Sequence, residues 1–139
     1  MPARSTLAPA SRPVDEKITI NIGCVDLGQI DLLVQEGFYA NRTDLIRTAI
    51  RNQLATHGEA VRDVVSRRTL VLGIQHYTAA DLEAIELAGE KLRIKVLGLA
   101  SIADDVAPRL ALATIESLTV LGALHASPAV KAALRDRIN

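Results

Sequence analysis

The sequence predicts an α+β chain in two parts. The first, residues 15–57, is one strand followed by two short helices. The second, residues 69–139, is a small α/β segment of three strand–helix repeats with parallel strands. Three observations carry this. Lys17-Ile18-Thr19-Ile20-Asn21-Ile22 alternates polar and β-branched apolar residues, the period of a half-buried strand. The stretches after it, around 26–36 and 42–56, space their apolar residues as helices do. Finally, Val-Leu-Gly recurs at 71–73, 96–98 and 120–122, at intervals of 25 and 24 residues.

Composition bounds what such a chain can be. Apolar residues make up 49% of the 139 but aromatics only 2%, so any core is aliphatic. Lys plus Arg equals Asp plus Glu at 16 each, so no global field draws the chain to nucleic acid or membrane. A nucleic-acid function must therefore rest on where the charges sit. No run of 18 apolar residues is present, which excludes an obvious membrane helix. The first residues lack the apolar stretch of a secretory signal. A single cysteine, Cys24, excludes an intrachain disulfide framework and suits a reducing compartment, so a cytoplasmic, nucleoid-associated location is expected.

Residues 1–14 hold three of the five prolines and no hydrophobic period. A disordered arm is expected, either a passive tail or a basic arm bringing Arg4 and Arg12 to phosphates. After the strand, Asp26 is expected to open the first helix, with Gln29 at the capping-box position and Leu27, Ile30, Leu33 and Val34 on one face. Gly37 should end it. Asn41 is expected to cap the second helix, with Asp44 three residues on. Its apolar stripe is Leu45, Ile46, Ala49, Ile50 and Leu54, and it should run to about Thr56. Residues 58–68 read as a helical connector.

In the repeats, each Val-Leu-Gly is expected to close a strand (69–72, 92–97 and 118–121). Helix starts should follow at Thr78 with Asp81, Ser101 with Asp104, and Ser127 with Pro128. Leu82 and Ile85, Val106 and Leu110, and Val130 and Leu134 then fall at matching offsets. An ordinary small α/β domain with coincidental glycine spacing is the alternative.

One strand and two short helices cannot enclose their own apolar surface, and the strand has two bare edges. Two chains can solve this by pairing their strands antiparallel, with four helices on the apolar face. The ribbon then displays Lys17, Thr19 and Asn21 from each chain, hydrogen-bonding side chains on a surface that fits the major groove. The plain alternative is a merely solvated strand face.

The segments KITINIG and DLGQIDLLVQEGFYANRTDLIRTAI resemble the ribbon-helix-helix DNA-binding domain of Arc/MetJ/CopG-type bacterial regulators, whose β-ribbons read DNA. The resemblance covers residues 15–56. It implies that Lys17, Thr19 and Asn21 contact bases, and that Asn41, Arg42 and Thr43 contact the DNA backbone. Ile18, Ile20, Ile22, Leu33, Ile46 and Ile50 would form the dimer core. Gly23-Cys24-Val25 departs from the usual acidic strand-to-helix junction. No resemblance is evident for residues 69–139, which hold 7 basic and 8 acidic residues without a basic stripe and read as a module for oligomerisation or partner binding.

Other chemistries find little support. His57, His76 and His125 are scattered and Cys24 is alone, so no metal is expected. Asp104-Asp105 reads as helix capping. The serines have no evident base and no Gly-x-Ser-x-Gly elbow. The glycines do not form a phosphate-cradling G-x-G-x-x-G loop. No enzyme and no cofactor is expected. The function expected is a sequence-specific DNA-binding regulator, a repressor, acting as a homodimer or higher oligomer on double-stranded DNA. The alternatives are an antitoxin, whose C-terminal part masks a toxin partner, and a DNA-anchored self-assembling structural protein.

Overall fold

A computed structural model describes residues 15–139; the expected arm, 1–14, lies outside the described residues. The chain divides into two compact units within the third helix, Asp15–Val64 and, among the described residues, Val65–Asn139.

In the first unit, residues 15–23 carry no regular secondary structure. A strand exists only against neighbouring backbone, and alternation alone does not supply it. Helix α1 is Cys24–Gln35, α2 is Arg42–Thr56 and α3 is Gly58–Arg67. The start of α1 corrects the expected Asp26 cap. Gly23 takes the N-cap in extended backbone, no side chain caps it, and Asp26 lies in the first turn. There an acid favours the positive end of the helix without being the cap. At the far end Gly37 (φ 85°) donates to Val34 O and Phe38 to Leu33 O, the paired bonds that close a helix through a left-handed residue. Thr69 does the same for α3 at φ 51°, donating to Ser66 O while Leu70 donates to Val65 O. A β-branched residue there is strained.

The second unit is a three-stranded parallel sheet in the order β1-β2-β3, with β1 Val71–Tyr77, β2 Leu92–Ile102 and β3 Ile115–His125. Helices α4 (Ala79–Leu87), α5 (Pro108–Thr114) and α6 (Pro128–Ala133) follow the strands in turn. One core forms where Ile94, Val96, Ala100, Ile102 and Leu118 meet Leu82 of α4, Leu110 and Ala111 of α5, and Val130 and Leu134 at the end of the chain. Leu82, Leu118, Val130 and Leu134 are fully buried. Burial of each such side chain is worth about 1.5–3 kcal/mol. Thr114, the buried polar residue, donates to Leu110 O at 2.8 Å.

Two expectations about the repeats are corrected. The glycines do not close the strands; they sit inside them, in register, Gly73 beside Gly98 beside Gly122. All three have positive φ, 129°, 139° and 120°. A Cβ on Gly98 would lie 2.2 Å from Gly73 O, and one on Gly122 2.1 Å from Gly98 O, so a side chain cannot be seated in either row. Nor does Ser101 open a helix. It lies in β2 with its hydroxyl 3.1 Å from His76 Nδ1, and α5 begins at Pro108 after Ala107. Asp105 instead serves another helix, accepting from the Ala79 N–H at the start of α4. The other two starts stand as read. Thr78 and Asp81 form a reciprocal capping box, and Ser127 Oγ accepts from Val130 N behind Pro128.

Candidate nucleic-acid interface

The Asp15–Val64 unit has no buried side chain on any of its helices. Leu27, Ile30, Leu33, Val34 and Leu45 are half-buried between α1 and α2. Ile18, Ile20 and Ile22 are 75%, 70% and 45% exposed, and Ile46, Ile50 and Leu54 are exposed as well. Lys17, Thr19 and Asn21, between those isoleucines, are also exposed. This much exposed apolar surface on a unit without an interior marks a surface for association.

The start of α2 collects the other expected site residues. Asn41 is its N-cap, its Oδ1 accepting from Asp44 N at 2.8 Å, and Asp44 Oδ2 accepts in turn from Ala40 N at 3.0 Å. This resembles a capping box displaced by one residue. The first N–H groups of α2, those of Arg42 and Thr43, lack intrahelical acceptors and carry the positive end of a 15-residue helix. Beside them lies a hollow of about 450 Å³ lined by Ala40, Asn41, Thr43, Asp44, Arg47 and Arg51. Arg51 was not expected there. The signal was present in the spacing: Thr43, Arg47 and Arg51 recur every four residues on one face.

Arg42 is engaged differently from its neighbours. Its Nε donates to Asp31 Oδ1 at 2.7 Å and its Nη2 to Asp31 Oδ2 at 2.8 Å, a two-pronged bond between α1 and α2. That hydrogen bonding holds the Asp31 carboxyl below its usual range and the Arg42 guanidinium above its own. The guanidinium keeps further N–H donors, so it can join α1 to α2 and still offer hydrogen bonds outward. Within this unit the base-facing and backbone-facing candidates lie on different elements: 17–21 on the extended segment, 41–43 on the helix start.

The description of the ribbon-helix-helix transcriptional regulator family matches residues 13–131. The chain belongs to that family. No curated protein and no solved structure matches it. The family match reaches well past the strand and two helices and through all three strands of the sheet, so the repeats belong to the family's architecture and not only the residues that resemble a DNA-binding domain. Ribbon-helix-helix regulators bind DNA and dimerise, which makes this chain a DNA-binding transcriptional regulator. Among the described residues, no group of histidine, cysteine and acidic side chains is placed to hold a metal, and no helix is long and apolar enough to cross a membrane.

Proposed function

We propose that this regulator is a sequence-specific repressor whose residues 17–22 pair antiparallel between two chains and enter the major groove. The observation that carries the reading is the coreless first unit. Its Ile18, Ile20 and Ile22 are exposed in one chain and need a second chain to bury them. Pairing turns those three side chains inward against Leu33, Ile46 and Ile50, and turns Lys17, Thr19 and Asn21 outward. Lys and Asn are suited to guanine and adenine edges, and Thr to either a polar edge or a thymine methyl. Asn41, Arg42 and Thr43 then hold phosphates at the start of α2, with Arg47 and Arg51 adding charge beside them. These backbone contacts fix register and carry no sequence information. Occupancy of promoter DNA would repress.

The test is binding to genomic DNA fragments at two salt concentrations. Thr19→Ala with Asn21→Ala should lose discrimination between sites, by roughly 1–3 kcal/mol per good contact, and leave non-specific binding nearly intact. Arg42→Ala should weaken binding to every sequence alike. Equal loss on all sequences in the Thr19 and Asn21 variant would remove the base-reading role.

A further inference from the structure

The C-terminal sheet ends in two edges that match each other. Among the described residues no strand lies beside the outer edge of β1. The outer edge of β3 carries one rung: Ile138 bridges Leu118, and Asn139 N donates to Leu118 O at 2.8 Å. Among the described residues no further strand lies beside Val120–Leu124. Inside the sheet, Val71 is level with Val96 and Val96 with Val120. The bare stretch of β3 therefore begins at the level where β1 begins.

We infer that copies of this protein join head to tail through these sheets, β3 of one chain pairing in parallel with β1 of the next. The step is the one the chain already takes twice. It would place the next copy's Val71 beside Val120, its Leu72 beside Leu121 and its Ile74 beside Ala123, completing rows that run Val71, Val96, Val120 and Leu72, Leu97, Leu121 inside one sheet. Each edge now presents half of those rows to water: Leu72 is 68% exposed, Ile74 59% and Leu121 44%. Long apolar edges are the surfaces that sheets pair through.

Two further observations select a second copy over another strand. Gly73 shares the positive φ of Gly98 and Gly122, yet nothing lies within 4 Å of the position its Cβ would take, whereas each of the other two meets the glycine carbonyl of the preceding strand. The carbonyl of Gly122 supplies that neighbour. The end helices are also opposite in sign. Apart from Glu86, paired with Arg109, and Arg137, which donates to Leu112 O and Ile115 O, helix α4 carries Asp81 and Glu83 and no base, while α6 and the turn after it carry Lys131 and Arg135 against one acid, Asp136. Such a contact joins two different surfaces and does not close on itself, so it builds open rows. It rests on the sheet alone and does not depend on the DNA reading.

The experiment is sedimentation velocity of the full chain as concentration is raised, for wild type, Leu72→Lys and Leu121→Lys. Both positions are substantially exposed, so neither change enters the core, and an unchanged circular dichroism spectrum and thermal transition report that the sheet of each variant folds; Ile74→Lys repeats the test two residues along β1. Wild type should grow into species larger than a dimer, and each variant should associate roughly 10- to 100-fold more weakly. Mixing the two variants should restore one sheet contact, the intact β3 edge of Leu72→Lys with the intact β1 edge of Leu121→Lys, and give a species larger than either variant alone, while the two substituted edges left over stop the row there. The inference is overturned by a wild type that stops at a dimer, by single variants that grow as wild type does, or by a mixture that sediments no larger than either variant alone. That last result is the mark of a two-fold contact between sheet faces through the same leucines.

Discussion

Neighbouring residues 19 and 20 should do opposite things, and this can be measured. Ile20→Ala removes three carbon groups, worth about 2.4 kcal/mol at about 0.8 kcal/mol each when fully buried. Ile20 is 70% exposed in the single chain, so about 1.7 kcal/mol of that is gained only when a second chain covers it. Two copies meet in the dimer, which doubles the loss to about 3.4 kcal/mol and weakens association roughly 200- to 300-fold. Thr19→Ala should leave association within about twofold, because its side chain points the other way. The assay is energy transfer between chains labelled at Cys24, an exposed cysteine just past the segment. The same two variants should exchange places in a DNA-binding assay at protein concentrations where both are dimeric, with Thr19→Ala losing site discrimination and Ile20→Ala retaining it. If Thr19→Ala separates the chains as strongly as Ile20→Ala, the two residues do not lie on opposite faces of a paired strand.

Gly98→Ala must displace a backbone carbonyl and also hold a strained φ, and should cost roughly 2–6 kcal/mol of unfolding free energy; Gly73→Ala in the unassociated chain meets only the strain, roughly 1–3 kcal/mol, and denaturant titration of both at protein concentrations too low for association separates the two terms. Thr69→Gly relieves the left-handed strain after α3 and should stabilise by roughly 1 kcal/mol, read as a rise in denaturation midpoint at constant slope. Asp31 has its pKa lowered by Arg42 in the folded chain, so the pair contributes stability above the ordinary carboxylate pKa of about 3.9 and loses it as pH falls through the lower folded value. Thermal unfolding of Asp31→Asn should accordingly fall short of wild type at neutral pH and converge with it in strong acid.

Much of the chain could be read from residues alone where the cause is local. Asn41 and Asp44 announce α2, and the helix ends at Thr56 because the apolar spacing and His57-Gly58 end it there. The capping box at Thr78 and the Ser127-Pro128 start are equally local. What was misread depended on distant neighbours. A glycine after a hydrophobic run looks like a stop. Only the Gly73 carbonyl, 25 residues away in sequence, makes Gly98 a mid-strand necessity. Asp105 reads as a cap for the helix that follows it and serves the one before, across 26 residues. Arg42 reads as a DNA-backbone contact, and its hold on Asp31 of the other helix does not show in the sequence. In the candidate interface the residue types were legible, but Arg51 emerged only when Thr43 and Arg47 were seen beside it around one hollow.

The two units leave different kinds of surface unfinished, and that difference predicts how binding responds to salt. The first lacks an interior and presents the same surface on every chain, so a two-fold pair completes it. The second has an interior and is left with two unlike edges, which the proposed directional row would complete. On DNA carrying two neighbouring sites, the contact with each site is mainly ionic and should weaken steeply with salt. The contact between neighbours rests on the Val71–Val120 and Leu72–Leu121 rows, is mainly apolar, and should weaken little or strengthen. Raising salt should therefore lower the affinity of a single site while the cooperativity between two sites persists. Leu72→Lys should abolish that cooperativity without changing the salt slope of a single site. Footprint titrations on one-site and two-site fragments measure both quantities. Cooperativity that falls with salt in parallel with affinity, or that survives Leu72→Lys, would place the coupling in the DNA or the ribbon and not in the sheet.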